Sequence, residues 1–140
     1  MTPPDLSHQP IIFPVLFYRD AGAAIDWLVR AFGFQRRMAS PGPDDLIAHA
    51  ELSLGNAVIM LASVNAARGW KSPRDLGAVN QSICVYVDDP DSHEARARAA
   101  GAEIMLELTT KDYGARDYTC RDLEGHVWTF GTYRPGAYWE

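Results

Sequence analysis

The chain says nearly the same thing twice. Val15 to Gly33 (VLFYRDAGAAIDWLVRAFG) and Cys84 to Gly101 (CVYVDDPDSHEARARAAG) each lead from a β-rich run through Tyr-x-Asp into a stretch of helical length that ends on Gly. Tyr18 to Gly33 and Tyr86 to Gly101 are both 15 positions. Each copy later reaches a Gly turn and an apolar run, LGNAVIML from Leu54 and EGHVWTFG from Glu124. The offset between copies is 68 at the first Gly and 70 at the second, so they differ by two residues of loop. Four landmarks in one order predict an internal duplication, and a duplicated half must repeat one supersecondary unit.

Local chemistry names that unit. IIFPVLFY is β-branched and aromatic, which predicts a strand. Asp20 stands where a carboxylate accepts from the orphan N–H groups of a following helical turn. Ile25, Leu28 and Phe32, with Trp27 and Ala31 beside them, form one apolar helical stripe, and Gly33 suits the left-handed residue that closes a helix. In the second copy Asp89 caps, Pro90 occupies a first-turn position where its missing N–H costs nothing, and Gly101 ends an Ala-rich helix. Three short strands follow each helix, at about 35–40, 45–53 and 57–63, then 103–108, 116–121 and 126–133. The expected fold class is α+β: two tandem βαβββ modules in one domain over 1–140, module one at about 10–64 and module two at about 81–134. The polar connection 65–80 is long enough to suggest a functional loop.

Composition excludes several classes. With 140 residues the chain can enclose a core without metal or disulfide support. Its net charge of −5 counts against nucleic acid or an anionic membrane as the main partner. No apolar run approaches the ~20 residues that span a bilayer. The N-terminal text lacks a secretory pattern, and Cys84 and Cys120 lack Cys-x-x-Cys spacing, so a cytoplasmic protein with reduced thiols is expected. Nucleophile-elbow, phosphate-loop and dinucleotide-binding motifs are missing from the text.

The run Tyr-Arg-Asp-x-x-x-Ala-Ile-x-Trp-Leu from Tyr18, Tyr-Gly-x-Arg from Tyr113 and Asp-x-x-Gly-His-x-Trp-x-Phe from Asp122 resemble the vicinal oxygen chelate superfamily. That group is also called the glyoxalase/bleomycin resistance/dioxygenase superfamily, and the text is most similar to its small PhnB-like, glyoxalase-like branch. The resemblance covers Ile11 to Tyr133. It implies that each module curls its sheet into a half-open trough and that the two troughs enclose one cavity. In enzymatic members His and Glu from the first and last strand of each module hold a divalent metal there. Carried over residue by residue, those positions fall on Phe13, Ile59, Ser82 and Thr129. Phe and Ile cannot ligate and neutral hydroxyls are poor donors, so no metal or other cofactor is expected unless replacement ligands exist.

Strand parity sorts the remaining candidates. Phe13, Val15 and Phe17 are expected along the first trough, and Ser82, Cys84 and Tyr86 along the second. With Ile59 in the cavity and a turn at Gly55–Asn56, His49 and Glu51 point away from it. With a turn at 122–125, Thr129 faces Tyr118, so Arg116, Tyr118 and Cys120 share its face while Trp128 and Phe130 enter the core. Tyr113 and Arg116 could cover the mouth, or Arg116 could pair with Asp112 or Asp117. Trp70 is read as a lid or a dimer contact. The candidate ligand-binding set is therefore Phe13, Phe17, Ile59, Trp70, Ser82, Tyr86, Tyr113, Arg116, Tyr118 and Thr129.

The expectation is a homodimeric, antibiotic-resistance-type protein holding a small organic molecule, drug or metabolite, in a metal-free aromatic cavity. Against it stand a metal-dependent lyase or dioxygenase with replacement ligands, a metal-free isomerase using Tyr118, Arg116 or Glu51, and a partner subunit whose trough is filled.

Overall fold

A computed structural model describes residues 2–137 and 139–140. The elements run β1 (Val15–Tyr18), α1 (Ala21–Phe32), β2 (Gln35–Pro41), β3 (Ile47–Leu54), β4 (Ala57–Ser63), α2 (Pro73–Leu76), β5 (Ser82–Tyr86), α3 (Pro90–Ala99), β6 (Glu103–Thr110), β7 (Arg116–Arg121) and β8 (Val127–Gly131). The two βαβββ modules are both present, each with a four-stranded sheet, in the orders β1-β4-β3-β2 and β5-β8-β7-β6. In each, the first strand is parallel to the last, and the other pairings are antiparallel.

Both helices start as their sequences predict. The Asp20 carboxylate accepts from the Ala23 N–H at 3.0 Å, and that of Asp89 from the Ser92 N–H at 3.2 Å. Gly33 ends α1 in the left-handed conformation, at φ 86°. Within the connection 65–80 the chain also forms the short helix α2 and a 3₁₀ turn at Ala66–Arg68. The first strand is shorter than IIFPVLFY suggests: Pro14 offers no N–H to a ladder, and Ile11 and Ile12 before it are exposed.

The chain divides into two compact units. One runs to Val29 and resumes at Gly33–Ser72; the other takes Arg30–Phe32 and Pro73–Glu140. In the first, Leu16, Tyr18, Ala50, Leu52, Ile59 and Leu61 on one sheet face are buried, as are Ala24, Ile25 and Leu28 of α1. In the second, Tyr118, Cys120, Trp128 and Phe130 occupy the buried face, with α3 packed on β6, β7 and β8.

Phe32 completes the second core. Its ring lies 4.5 Å from Phe130 and 5.2 Å from Trp128 between centroids. The last carbonyls of a helix lack intrahelical donors. Here α3 supplies them: His93 Nε2 donates to the Phe32 carbonyl at 3.0 Å and Arg96 Nε to that of Arg30 at 2.8 Å. Because His93 Nε2 must carry the proton, its Nδ1 accepts from the Tyr118 hydroxyl, at 2.6 Å. Burial holds the imidazole below its ordinary pKa and pushes the Tyr118 phenol and the Cys120 thiol up, the latter to about 12.

Candidate functional site: the open sheet faces

Each sheet has a second face, opposite its buried one, and the candidate site residues divide between the two. On the first sheet the open face carries Val15 and Phe17 from β1, Met60 and Ala62 from β4, and Glu51 from β3; the registers Val15↔Met60, Phe17↔Ala62 and Glu51↔Met60 fix this. Asn65 and Trp70 close a short loop by exchanging two backbone hydrogen bonds, of 2.9 and 3.0 Å. That loop lays the Trp70 indole flat on Phe17, with centroids 4.4 Å apart and planes 15° from parallel. The Arg68 guanidinium lies 4.9 Å from the Trp70 centroid.

Two expectations about this face are corrected. Ile59 pairs with Leu52 and is 4% exposed, so it belongs to the core. The hairpin parity through Gly55–Asn56 holds, but its anchor was one residue out. Glu51 consequently lies on the open face, where its carboxylate meets His49 Nε2 at 2.7 Å. Phe13 stands before β1, outside the strand.

On the second sheet the rows Ser82↔Val127, Cys84↔Thr129 and Tyr86↔Gly131 form the open face, continued on β7 by Arg121, Thr119 and Asp117. Thr119 and Thr129 share a hydroxyl hydrogen bond of 2.7 Å. Arg134 sits over the Tyr86 ring, 3.7 Å from its centroid. At one end of this face an open cleft of about 440 Å³ is lined by Arg74, Val79, Glu103, Arg121, Glu124 and Val127.

Tyr118 is not on this face; it pairs with Phe130 and is fully buried, as is Cys120 opposite Trp128. The turn explains the correction. Asp122 and His126 close a loop of three residues, not an even one, because the Asp122 N–H bonds the His126 carbonyl. The Asp122 carboxylate then accepts from the Glu124 and His126 N–H groups and from Trp128 Nε1, each at 3.0 Å. One residue of loop reverses every side chain before it. Arg116 is on the same side as Tyr118 and forms a two-pronged pair with Asp91 of α3, both contacts 2.9 Å, in place of Asp112 or Asp117. Tyr113 is edge-on to Tyr133 in the loop before β7, at 6.2 Å.

The model of the Glyoxalase/Bleomycin resistance protein/Dioxygenase superfamily matches residues 11–130. The chain belongs to that superfamily. It is 35% identical over 126 residues to the uncharacterized protein Mb0911c of Mycobacterium bovis, which covers 88% of this chain and 83% of that one. The crystal structure of TioX from Micromonospora sp. ML1 is similar at 36% identity and a TM-score of 0.70, covering 88% of this chain and 99% of TioX. The fold is also that of the fosfomycin resistance protein FosX of Listeria monocytogenes, a structure with Mn(II) and sulfate, at 13% identity and a TM-score of 0.68 over 90% of this chain and 91% of FosX.

The superfamily's metal can be tested against the donors present. On the open face of the first sheet β1 and β4 present Val15, Phe17, Met60 and Ala62. On that of the second sheet β5 and β8 present Ser82, Cys84, Tyr86, Val127 and Thr129. None of these is a His or a carboxylate, and Ser and Thr offer only neutral hydroxyls. Among the described residues no three His, Cys, Asp or Glu side chains converge, and His49 with Glu51 supplies two donors. This donor set does not fit the superfamily's His and Glu site.

Proposed function

We propose that the protein binds a small organic molecule carrying a flat apolar ring, a drug or metabolite, on the open face of its first sheet without a metal. The carrying observation is Trp70 on Phe17: an indole held by a closed loop over an aromatic side chain of an otherwise open sheet. Stacked rings exchange partners at modest cost, about 0.5–1.5 kcal/mol per pair. An incoming ring can therefore take the place of one member of the stack.

The test is a thermal-shift screen of planar aromatic compounds against the wild-type chain and Trp70→Ala. A ligand at 100 times its Kd stabilises the native state by about 2.7 kcal/mol, a readable rise in Tm. The rise is expected in the wild type and is lost in Trp70→Ala. No rise with any compound, or an equal rise in both proteins, overturns the proposal.

One observation favours a second reading. His49 and Glu51 form an acid–base pair on the open face of the first sheet. Turnover of a bound compound that disappears in Glu51→Gln while binding persists would select a metal-free isomerase. Tyr118 and Arg116 drop out of that reading, since both are engaged on the α3 side.

A further inference from the structure

We propose that the row Tyr86–Gly131–Asp117 on the open face of the second sheet binds the cationic head of an organic molecule, an amidinium, guanidinium or ammonium group. Arg134 of the chain's own C-terminal segment covers this site until such a ligand displaces it. The inference rests on the small-molecule reading above and names the chemical class that this face selects.

Register places the three residues in one line. Tyr86 and Asp117 both pair with Gly131, from opposite sides, so their side chains leave the same face. The middle of the row has to be bare, because a Cβ on Gly131 would overlap the Asp117 Cβ and the Arg116 carbonyl. Glycine within a strand marks such a close approach. Asp117 thus leans over Gly131 and no third side chain stands between it and Tyr86 in that row, with Cys84 and Thr129 as the next row.

Both walls already hold cations. The Arg134 guanidinium lies 3.7 Å from the Tyr86 centroid, the arrangement of a cation–π pair. Lys111 Nζ is 3.4 Å from the Asp117 carboxylate, whose side chain is only 15% exposed. The Asp117 charge is felt across the face: the Cys84 thiol is pushed up by burial first and by Asp117 second. Neither resident cation is fixed by the ladder, since Arg134 follows β8 and Lys111 follows β6. They occupy the positions that a ligand's cationic head would take. A neutral ring of the same shape would gain the Tyr86 contact but no attraction from the Asp117 charge.

The probes are benzamidinium and its neutral counterpart benzamide, titrated separately into the ¹⁵N-labelled full chain and followed at the Tyr86, Gly131 and Asp117 amides. Benzamidinium is expected to bind at least about tenfold more tightly than benzamide. Arg134→Ala, a change at an exposed residue, is expected to raise that affinity about two- to fivefold, the value of an exposed cation–π pair. Asp117→Asn is expected to remove the preference for the cation. Equal binding of the two probes overturns the cation assignment and leaves the small-molecule reading standing. Binding of neither, or no response to Arg134→Ala, also overturns it, while the Trp70 measurement continues to judge the broader reading separately.

Discussion

The two units have one element order and opposite habits. The first lays an aromatic stack on its open face, Trp70 over Phe17, with Tyr18 as the one ring among Leu16, Leu52, Ile59 and Leu61 on the buried sheet face. The second packs five rings together inside, Phe32, Trp128, Phe130, Tyr118 and His93, and shows a single ring, Tyr86, on its open face beside hydroxyls, a thiol and charges. Tyr18 and Tyr86 show how little separates the two. They head the same repeated motif, yet Tyr18 is fully buried and Tyr86 is 38% exposed. The helix cap follows Tyr18 by two residues, at Asp20, and Tyr86 by three, at Asp89. One extra residue turns the strand over, so duplication preserved the path of the chain and exchanged its faces.

The largest test of this contrast is truncation of a ring on each side. Phe130→Ala opens a cavity among four rings and is expected to cost about 3–5 kcal/mol in urea unfolding. Phe17→Ala removes a half-covered ring and is expected to cost about 1 kcal/mol. Equal losses would break the comparison.

A smaller effect isolates the polar contact inside the second core. Tyr118→Phe keeps the ring and deletes the hydroxyl that donates to His93 Nδ1. Leaving that buried nitrogen without a donor is expected to cost about 1–3 kcal/mol, read from the shift in denaturation midpoint.

The smallest is a pH dependence. Burial holds the His93 pKa below its ordinary 6.5, so the folded state resists a proton that the unfolded state accepts. Stability from this group is complete above that value and declines as pH falls below it. The Tm is expected to fall between about pH 7 and about pH 5, and His93→Gln, which keeps one donor and one acceptor, should flatten that slope. An unchanged slope in the variant would place the pH response elsewhere.

The fold was largely legible because its signals are local. Asp20, Gly33, Asp89 and Pro90 each carry their own capping chemistry, and the strands at 57–63 and 116–121 lie where their composition puts them. The faces were only half legible. Phe17, Trp70, Ser82, Tyr86 and Thr129 are on the open side, whereas Ile59, Arg116 and Tyr118 are not. Parity propagates any error of one residue along a whole hairpin. Alignment through Gly55 and Gly125 set Ile59 opposite Thr129, but the second loop is longer, and its length is fixed by what the Asp122 carboxylate bonds. An Asp two residues before a backbone N–H, ahead of Gly-His, was the available signal for that turn. The stack of Trp70 on Phe17 depends on the fold of a loop, which no period reveals.

The seating of Phe32 in the second core bears on how such a chain came to be. A half-chain starting at Pro73 would inherit α3, with His93 and Arg96 facing no carbonyls, and a ring-sized gap beside Trp128 and Phe130. A single ancestral module built this way would have needed another polypeptide to lend it a helix end. Gene fusion would then have joined two dependents in one reading frame rather than doubling a self-sufficient protein.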